Sequence, residues 1–168
     1  MLQSRFAKMS FPVPGHDHRR CVAGALDAAE AECRRRGARL TDVRRRVLEL
    51  VWASHAPIGA YAVLDALAGD GRAAAPPTVY RALDFLLAHG LVHRIERLNA
   101  FIGCSHPGAP HSGQFLLCKE CGAAAELDDP AIAGAVATAS ARVGFTVTGQ
   151  TVEAEGLCAL CRREGGDG

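Results

Sequence analysis

Apolar residues return every three or four positions through most of the N-terminal half of the chain, and that period divides it into helices. Roughly Val22 to Arg36 reads as a first helix, rich in Ala, Glu and Arg and closed by Gly37. Thr41 is placed to cap a second, with Val43, Val47, Leu50 and Val51 as its apolar stripe. Pro57 and Gly59 break the chain before a third, roughly Ala60 to Ala68, which turns Val63, Leu64 and Leu67 inward and ends at Gly69-Asp70-Gly71. A fourth starts at Pro76-Pro77, stops at Gly90 and buries Val79, Leu83, Leu86 and Leu87. Two short apolar runs follow, Leu91–Ile95 and Ala100–Ile102, joined by Arg97-Leu98-Asn99. Helices followed by a two-stranded hairpin give the order of a winged helix-turn-helix domain.

Residues 103–113 then have the Gly- and Pro-rich composition of a linker. Beyond them Phe115–Cys118 and Ala123–Leu127 read as strands around a tight Cys-Lys-Glu-Cys-Gly turn. A helix from about Pro130 to Val143 follows, then a strand from Gly144 to about Glu155. A strand-strand-helix-strand unit of about fifty residues buries too little to stand alone and needs a staple, a partner chain, or both. The expected fold is therefore α+β. Residues 1–21 form a flexible arm, 22–102 a winged helix, 103–113 a hinge, 114–163 a small α/β domain and 164–168 a tail.

The net charge of +1 hides a division. Residues 1–98 hold 15 Lys and Arg against 10 Asp and Glu, whereas residues 99–168 hold 4 against 8. A polyanion would meet the basic N-terminal half. No apolar run approaches the ~20 residues that span a bilayer. The first residues, with Arg5, Lys8, His16, Asp17, His18 and Arg19, lack the apolar core of a secretory signal. The expectation is a cytoplasmic protein, in which seven cysteines serve as metal ligands or thiols rather than as a disulfide framework. Cys33 reads as a packed thiol. His16, His18 and Cys21 offer metal donors, although the composition around them is that of a disordered leader.

Four sets of residues carry candidate chemistry. Thr78, Tyr80 and Arg81 lie in the first turns of the fourth helix, beside its buried stripe, where a helix entering a DNA major groove needs them. One or two of Arg44, Arg45 and Arg46 can reach phosphates, since three in a row cannot share one helical face. Cys118-x-x-Cys121 and Cys158-x-x-Cys161 are paired motifs of the kind that closes a tetrahedral structural zinc site, leaving no position for water or substrate. A looser set, His93, Cys104, His111 and Glu126, supplies N, S, N and O donors that suit a second Zn²⁺, with His106 as a substitute or neighbour. Taken singly, each of those four also reads as an ordinary surface, linker or strand residue. A zinc hydrolase or deaminase would need an open metal position and a general base, and the H-x-E with P-C-x-x-C pattern of deaminases is absent. A redox switch at Cys104 or Cys33 is a further alternative.

Arg39-Leu40-Thr41-Asp42-Val43-Arg44, Pro77-Thr78-Val79-Tyr80-Arg81-Ala82-Leu83, Gly90-Leu91-Val92-His93, Cys118-Lys119-Glu120-Cys121-Gly122 and Gly156-Leu157-Cys158-Ala159-Leu160-Cys161 together resemble the ferric uptake regulator family, in order and over roughly residues 22–163. Thr78 to Leu86 and the Cys104 to His111 linker are most similar to its zinc uptake regulator branch. The resemblance implies a homodimer, with residues 114–163 as its dimerisation domain, that binds palindromic operator DNA. It implies two Zn²⁺ per chain: a structural ion at Cys118, Cys121, Cys158 and Cys161, and a regulatory ion at His93, Cys104, His111 and Glu126. Tyr61 and Arg81 match its DNA-contacting positions. Function is then expected to be zinc-responsive repression of zinc-uptake genes, with no small-molecule substrate, no membrane partner and no enzymatic activity. An iron-, manganese- or peroxide-responsive regulator of the same family is the alternative. The chain departs from the iron branch, whose His-His-x-Asp-His run is replaced here by Ser105-His106-Pro107-Gly108-Ala109-Pro110-His111. A thiolate in the second set favours zinc over iron.

Overall fold

The computed structural model describes Phe11 and residues 15–71, 75–109 and 113–164. The chain divides into two compact units between Ala109 and Pro110. In the N-terminal unit the helices are α1 (His18–Arg35), α2 (Asp42–Val51), α3 (Ala60–Gly69) and α4 (Pro76–Ala88). Its strands are β1 (Ile58–Gly59), β2 (Val92–Ile95) and β3 (Ala100–Gly103).

Helix α1 begins at His18, earlier than the Val22 expected, because Asp17 caps it by accepting the backbone N–H of Arg19. Residues 18–21, assigned from the sequence to the arm, are thus helical; residues 1–10 and 12–14 lie outside the described part. The apolar stripes do most of what their spacing predicts: Val43, Leu50, Leu64 and Leu87 are only half-buried at the edge of the core, whereas Leu48 and Ala82, outside the expected stripes, are buried. Val47, Leu48 and Val51 of α2, Val63 and Leu67 of α3, and Val79, Ala82, Leu83 and Leu86 of α4 form one core with Leu26, Ala29 and Cys33 of α1. Burial pushes the Cys33 thiol above its ordinary range, as befits a packed, unreactive cysteine.

The wing has three strands rather than two, in the order β1-β3-β2, all antiparallel. Two-residue β1 is too short to leave a period in the sequence. The β2–β3 turn is a 3-10 turn, Glu96–Leu98, closed by Asn99 in the left-handed region at φ 46°. At the far end of β3 the Trp52 ring lies against Gly103, where a Cβ would collide with ring atoms Cε2 and Nε1. Gly103→Ala is therefore expected to destabilise the unit by about 1–3 kcal/mol through overpacking, read as a lowered denaturant midpoint at unchanged slope.

The C-terminal unit is built from β4 (Gly113–Cys118), β5 (Ala124–Leu127), α5 (Pro130–Ala141), β6 (Thr151–Gly156) and a short α6 (Ala159–Glu164). Its sheet order is β5-β4-β6, with β4 antiparallel to β5 and parallel to β6. The parallel pair requires the crossover that α5 supplies. Buried Gln114 ties the two together, its Nε2 donating to the Asp129 carbonyl at 3.0 Å, while Asp129 caps α5. Strand β6 begins at Thr151, not near Gly144 as expected, and α6 was not foreseen. The architecture is α+β, as the sequence pattern predicts.

Candidate metal centres and nucleic-acid interface

Register brings the paired cysteines together. Cys118 ends β4 opposite Gly156 of β6, so the turn after β4 and the start of α6 meet at one end of the sheet. Lys119 N–H donates to the Gly156 carbonyl at 2.9 Å, and Gly122, at φ 71°, lets the Cys118–Cys121 loop close. Donor atoms of Cys118, Cys121, Cys158 and Cys161 all lie within 4.8 Å of one another. The Cys121 and Cys158 sulfurs are 3.9 Å apart. Sulfurs at 2.3 Å from a tetrahedral zinc would be separated by about 3.8 Å, so the thiols stand where such an ion needs them.

Electrostatics point the same way. Backbone N–H groups of Cys121 and Cys158 directed at the Cys118 sulfur bring its pKa down to about 6. Proton sharing with Cys158, then burial, hold Cys161 up to about 12. One thiol ionises readily and its neighbour resists, the behaviour of like charges crowded without a cation. A dication would relieve it. Among described residues the unit's buried apolar side chains include only Phe115 and Leu117 as large ones, so the staple has a structural task.

The second set is placed as follows. His93 is on β2 across from Ile102, and Cys104 follows β3 with its N–H donating to the Leu91 carbonyl at 3.0 Å, so both sit at the same end of the wing. The Cys104 side chain is buried and His93 half-buried. Glu126 belongs to the C-terminal unit, on β5 opposite Phe115. His111 lies outside the described residues.

On the nucleic-acid side, α3 and α4 form a helix-turn-helix pair. Ala75 caps α4 and Pro76 and Pro77 occupy its first positions. Val79 is buried, while Thr78, Tyr80 and Arg81 are exposed on the first turns. Tyr61, at the start of α3, is 72% exposed. Among the described residues the Arg81 guanidinium is held by no carboxylate.

The arginine run, expected to send one or two side chains to phosphates, is paired within the unit. Arg44 donates to the Arg39 carbonyl at 2.7 Å and lies 3.6 Å over the Phe85 ring. Arg45 pairs with Glu30 and Glu49, and Arg46 with Asp70 at 2.6 Å and Glu49 at 2.9 Å. All three have partners inside the unit. Sequence reasoning missed Phe85, whose ring also stacks on His89 with centroids 3.9 Å apart; its place beside the apolar stripe gave no separate signal.

A winged helix with an exposed reading helix, joined in one chain to a thiolate-stapled α/β unit, defines a class of metal-binding, DNA-reading proteins. Residues 35–155 match the profile of the Ferric uptake regulator family. The chain belongs to that family. It is 40% identical over 137 residues to the zinc uptake regulation protein of Escherichia coli (strain K12), spanning 81% of this chain and 80% of that one. Among solved structures, a zinc uptake regulator complexed with zinc and DNA matches with a TM-score of 0.80 at 38% identity, over 86% of this chain and 97% of that chain. The holo form of XcZur matches with a TM-score of 0.76 at 44% identity, over 83% of this chain and 98% of that chain.

Proposed function

We propose that the chain is a zinc-responsive transcriptional repressor of zinc-uptake genes, acting in the cytoplasm as a homodimer on palindromic double-stranded DNA. What carries this reading is its likeness, across most of its length, to zinc uptake regulators, one of them solved with zinc and DNA. The protein works by binding alone, with no catalytic residues, small-molecule substrate or membrane partner. Residues 18–102, from the first turn of α1, read DNA, 103–113 act as hinge and 114–163 dimerise.

Each chain holds two zinc ions in this reading. Cys118, Cys121, Cys158 and Cys161 hold the structural one, in a closed donor set that admits no fourth-position chemistry. His93, Cys104, His111 and Glu126 hold the regulatory one. Bound there, zinc neutralises a thiolate and a carboxylate and favours the arrangement of the chain that satisfies all four donors. Turning a population from 1:99 to 99:1 demands a differential affinity of about 5.5 kcal/mol, which sets how strongly those donors must prefer one arrangement. Thr78, Tyr80 and Arg81 of α4 then enter the major groove, with Tyr61 of α3 beside them.

Dimerisation is supported by surface chemistry in the C-terminal unit. Helix α5 buries none of its residues, and Val136, Val143, Phe145, Leu157 and Leu160 are exposed. Apolar groups of that size call for a cover, and a second copy supplies one.

The test is DNA binding against metal load. Zinc-loaded protein selects a sequence from random duplexes, and fluorescence anisotropy then follows its affinity after mild chelation and re-addition of Zn²⁺, Fe²⁺ or Mn²⁺. The expected result is loss of binding on chelation and recovery with Zn²⁺ alone. Recovery with Fe²⁺ or Mn²⁺ but not Zn²⁺ would overturn zinc as the sensed ion.

A further inference from the structure

Three imidazoles and a thiol converge elsewhere in the N-terminal unit. His16 lies just ahead of α1, His18 opens that helix, and Cys21 sits three residues on, along the same face. His55 comes from the turn after α2. One donor atom from each of the four lies within 4.8 Å of every other.

Hydrogen bonding prepares the cluster for a cation. His18 Nε2 donates to the Trp52 carbonyl oxygen at 2.6 Å, which leaves the lone pair on Nδ1. That Nδ1 is buried and has no hydrogen-bond partner among the described residues. A buried acceptor with nothing to accept from is the polar group proteins avoid, and an ion answers it. The Nε2 atoms of His16 and His55 stand 2.9 Å apart. Rings of His16 and His18 meet at 84°, and those of His18 and His55 at 63°, so edges rather than faces converge.

We infer that His16, His18, Cys21 and His55 form a further zinc site, separate from the four-cysteine cluster and from the set containing His93 and Cys104. Three nitrogens and one sulfur make a closed tetrahedral set, structural rather than catalytic in character. The ion fastens the first turn of α1 to the turn that follows α2. His16 and Asp17, just ahead of α1, are thereby held against the turn that follows α2.

Zinc titration of the full chain against a chromophoric chelator tests this, with His55→Ala and Cys21→Ser as variants. The same two substitutions are repeated on Cys104→Ser, so that the regulatory ion cannot be mistaken for this one. The expected result is that each variant binds one zinc fewer than its parent in both backgrounds, or binds it at least about tenfold more weakly. Hydrogen exchange supplies a second readout: zinc should protect residues 16–21 in the native chain and fail to do so in His55→Ala. Equal zinc content and equal protection in parent and variants would overturn the inference, as would a third equivalent that survives both substitutions. Loss of zinc in Cys104→Ser alone bears on the regulatory reading and leaves this site standing.

Discussion

Cys118→Ser is expected to cost the chain its C-terminal unit. With one thiolate gone the remaining three cannot close a tetrahedron, and a structural zinc of this kind contributes an apparent ~10–16 kcal/mol at neutral pH. Each large apolar side chain in the unit offers only about 1.5–3 kcal/mol, and Phe115 and Leu117 are the large ones buried there among the described residues. No rearrangement of that core can offset the loss. The measurement is zinc content together with protease susceptibility: one equivalent of zinc should be missing, and cleavage should fall within residues 113–164 while residues 18–103 stay protected. A Cys118→Ser chain that kept its zinc and resisted protease would show the four thiols to be no staple.

Arg81→Ala should leave the metal content unchanged and weaken operator binding by about 1–3 kcal/mol, roughly five- to 150-fold in affinity. The reason lies in which arginines are available. Arg44, Arg45 and Arg46 are occupied by Phe85, Glu30, Glu49 and Asp70, whereas Arg81 stands exposed on the first turns of α4. A bidentate guanidinium on a guanine edge distinguishes that base from the others, so the variant should also lose discrimination at one operator position in each half-site. Anisotropy titrations on the selected duplex and on single-base variants read both effects. A uniform loss across all sequences would reassign Arg81 to the phosphate backbone.

The helices of the N-terminal unit were legible because they are amphipathic. Val79, Leu83 and Leu86 recur at the helical period, and the structure buries them together. The four cysteines were legible because each pair is local in sequence, leaving only the pairing of the pairs to tertiary structure. What escaped notice depended on partners. Phe145 to Thr148 alternates like a strand, yet β6 starts only at Thr151, where its register with β4 begins at Gly113. Asp17 caps α1, but Arg19 and Arg20 after it carry no apolar period, so the periodic pattern signals the helix only from Val22. His55 had no local signal. Its neighbours His16, His18 and Cys21 are more than thirty residues away in sequence and reach it only because α1 packs alongside α2.

The ion pairs of α2 bear on how tightly ionic strength governs the protein's hold on DNA. Each phosphate neutralised by a free Lys or Arg releases condensed counterions and adds about 0.9 to the slope of log affinity against log salt. Arg45 and Arg46 already have carboxylates for counterions within the unit, and pairs that persist on the duplex leave those arginines fewer phosphates to neutralise. Binding therefore frees fewer ions than the arginine count of the N-terminal half suggests. The expected result is a salt slope shallower than that arginine count gives, with base contacts and shape carrying a correspondingly larger share of recognition.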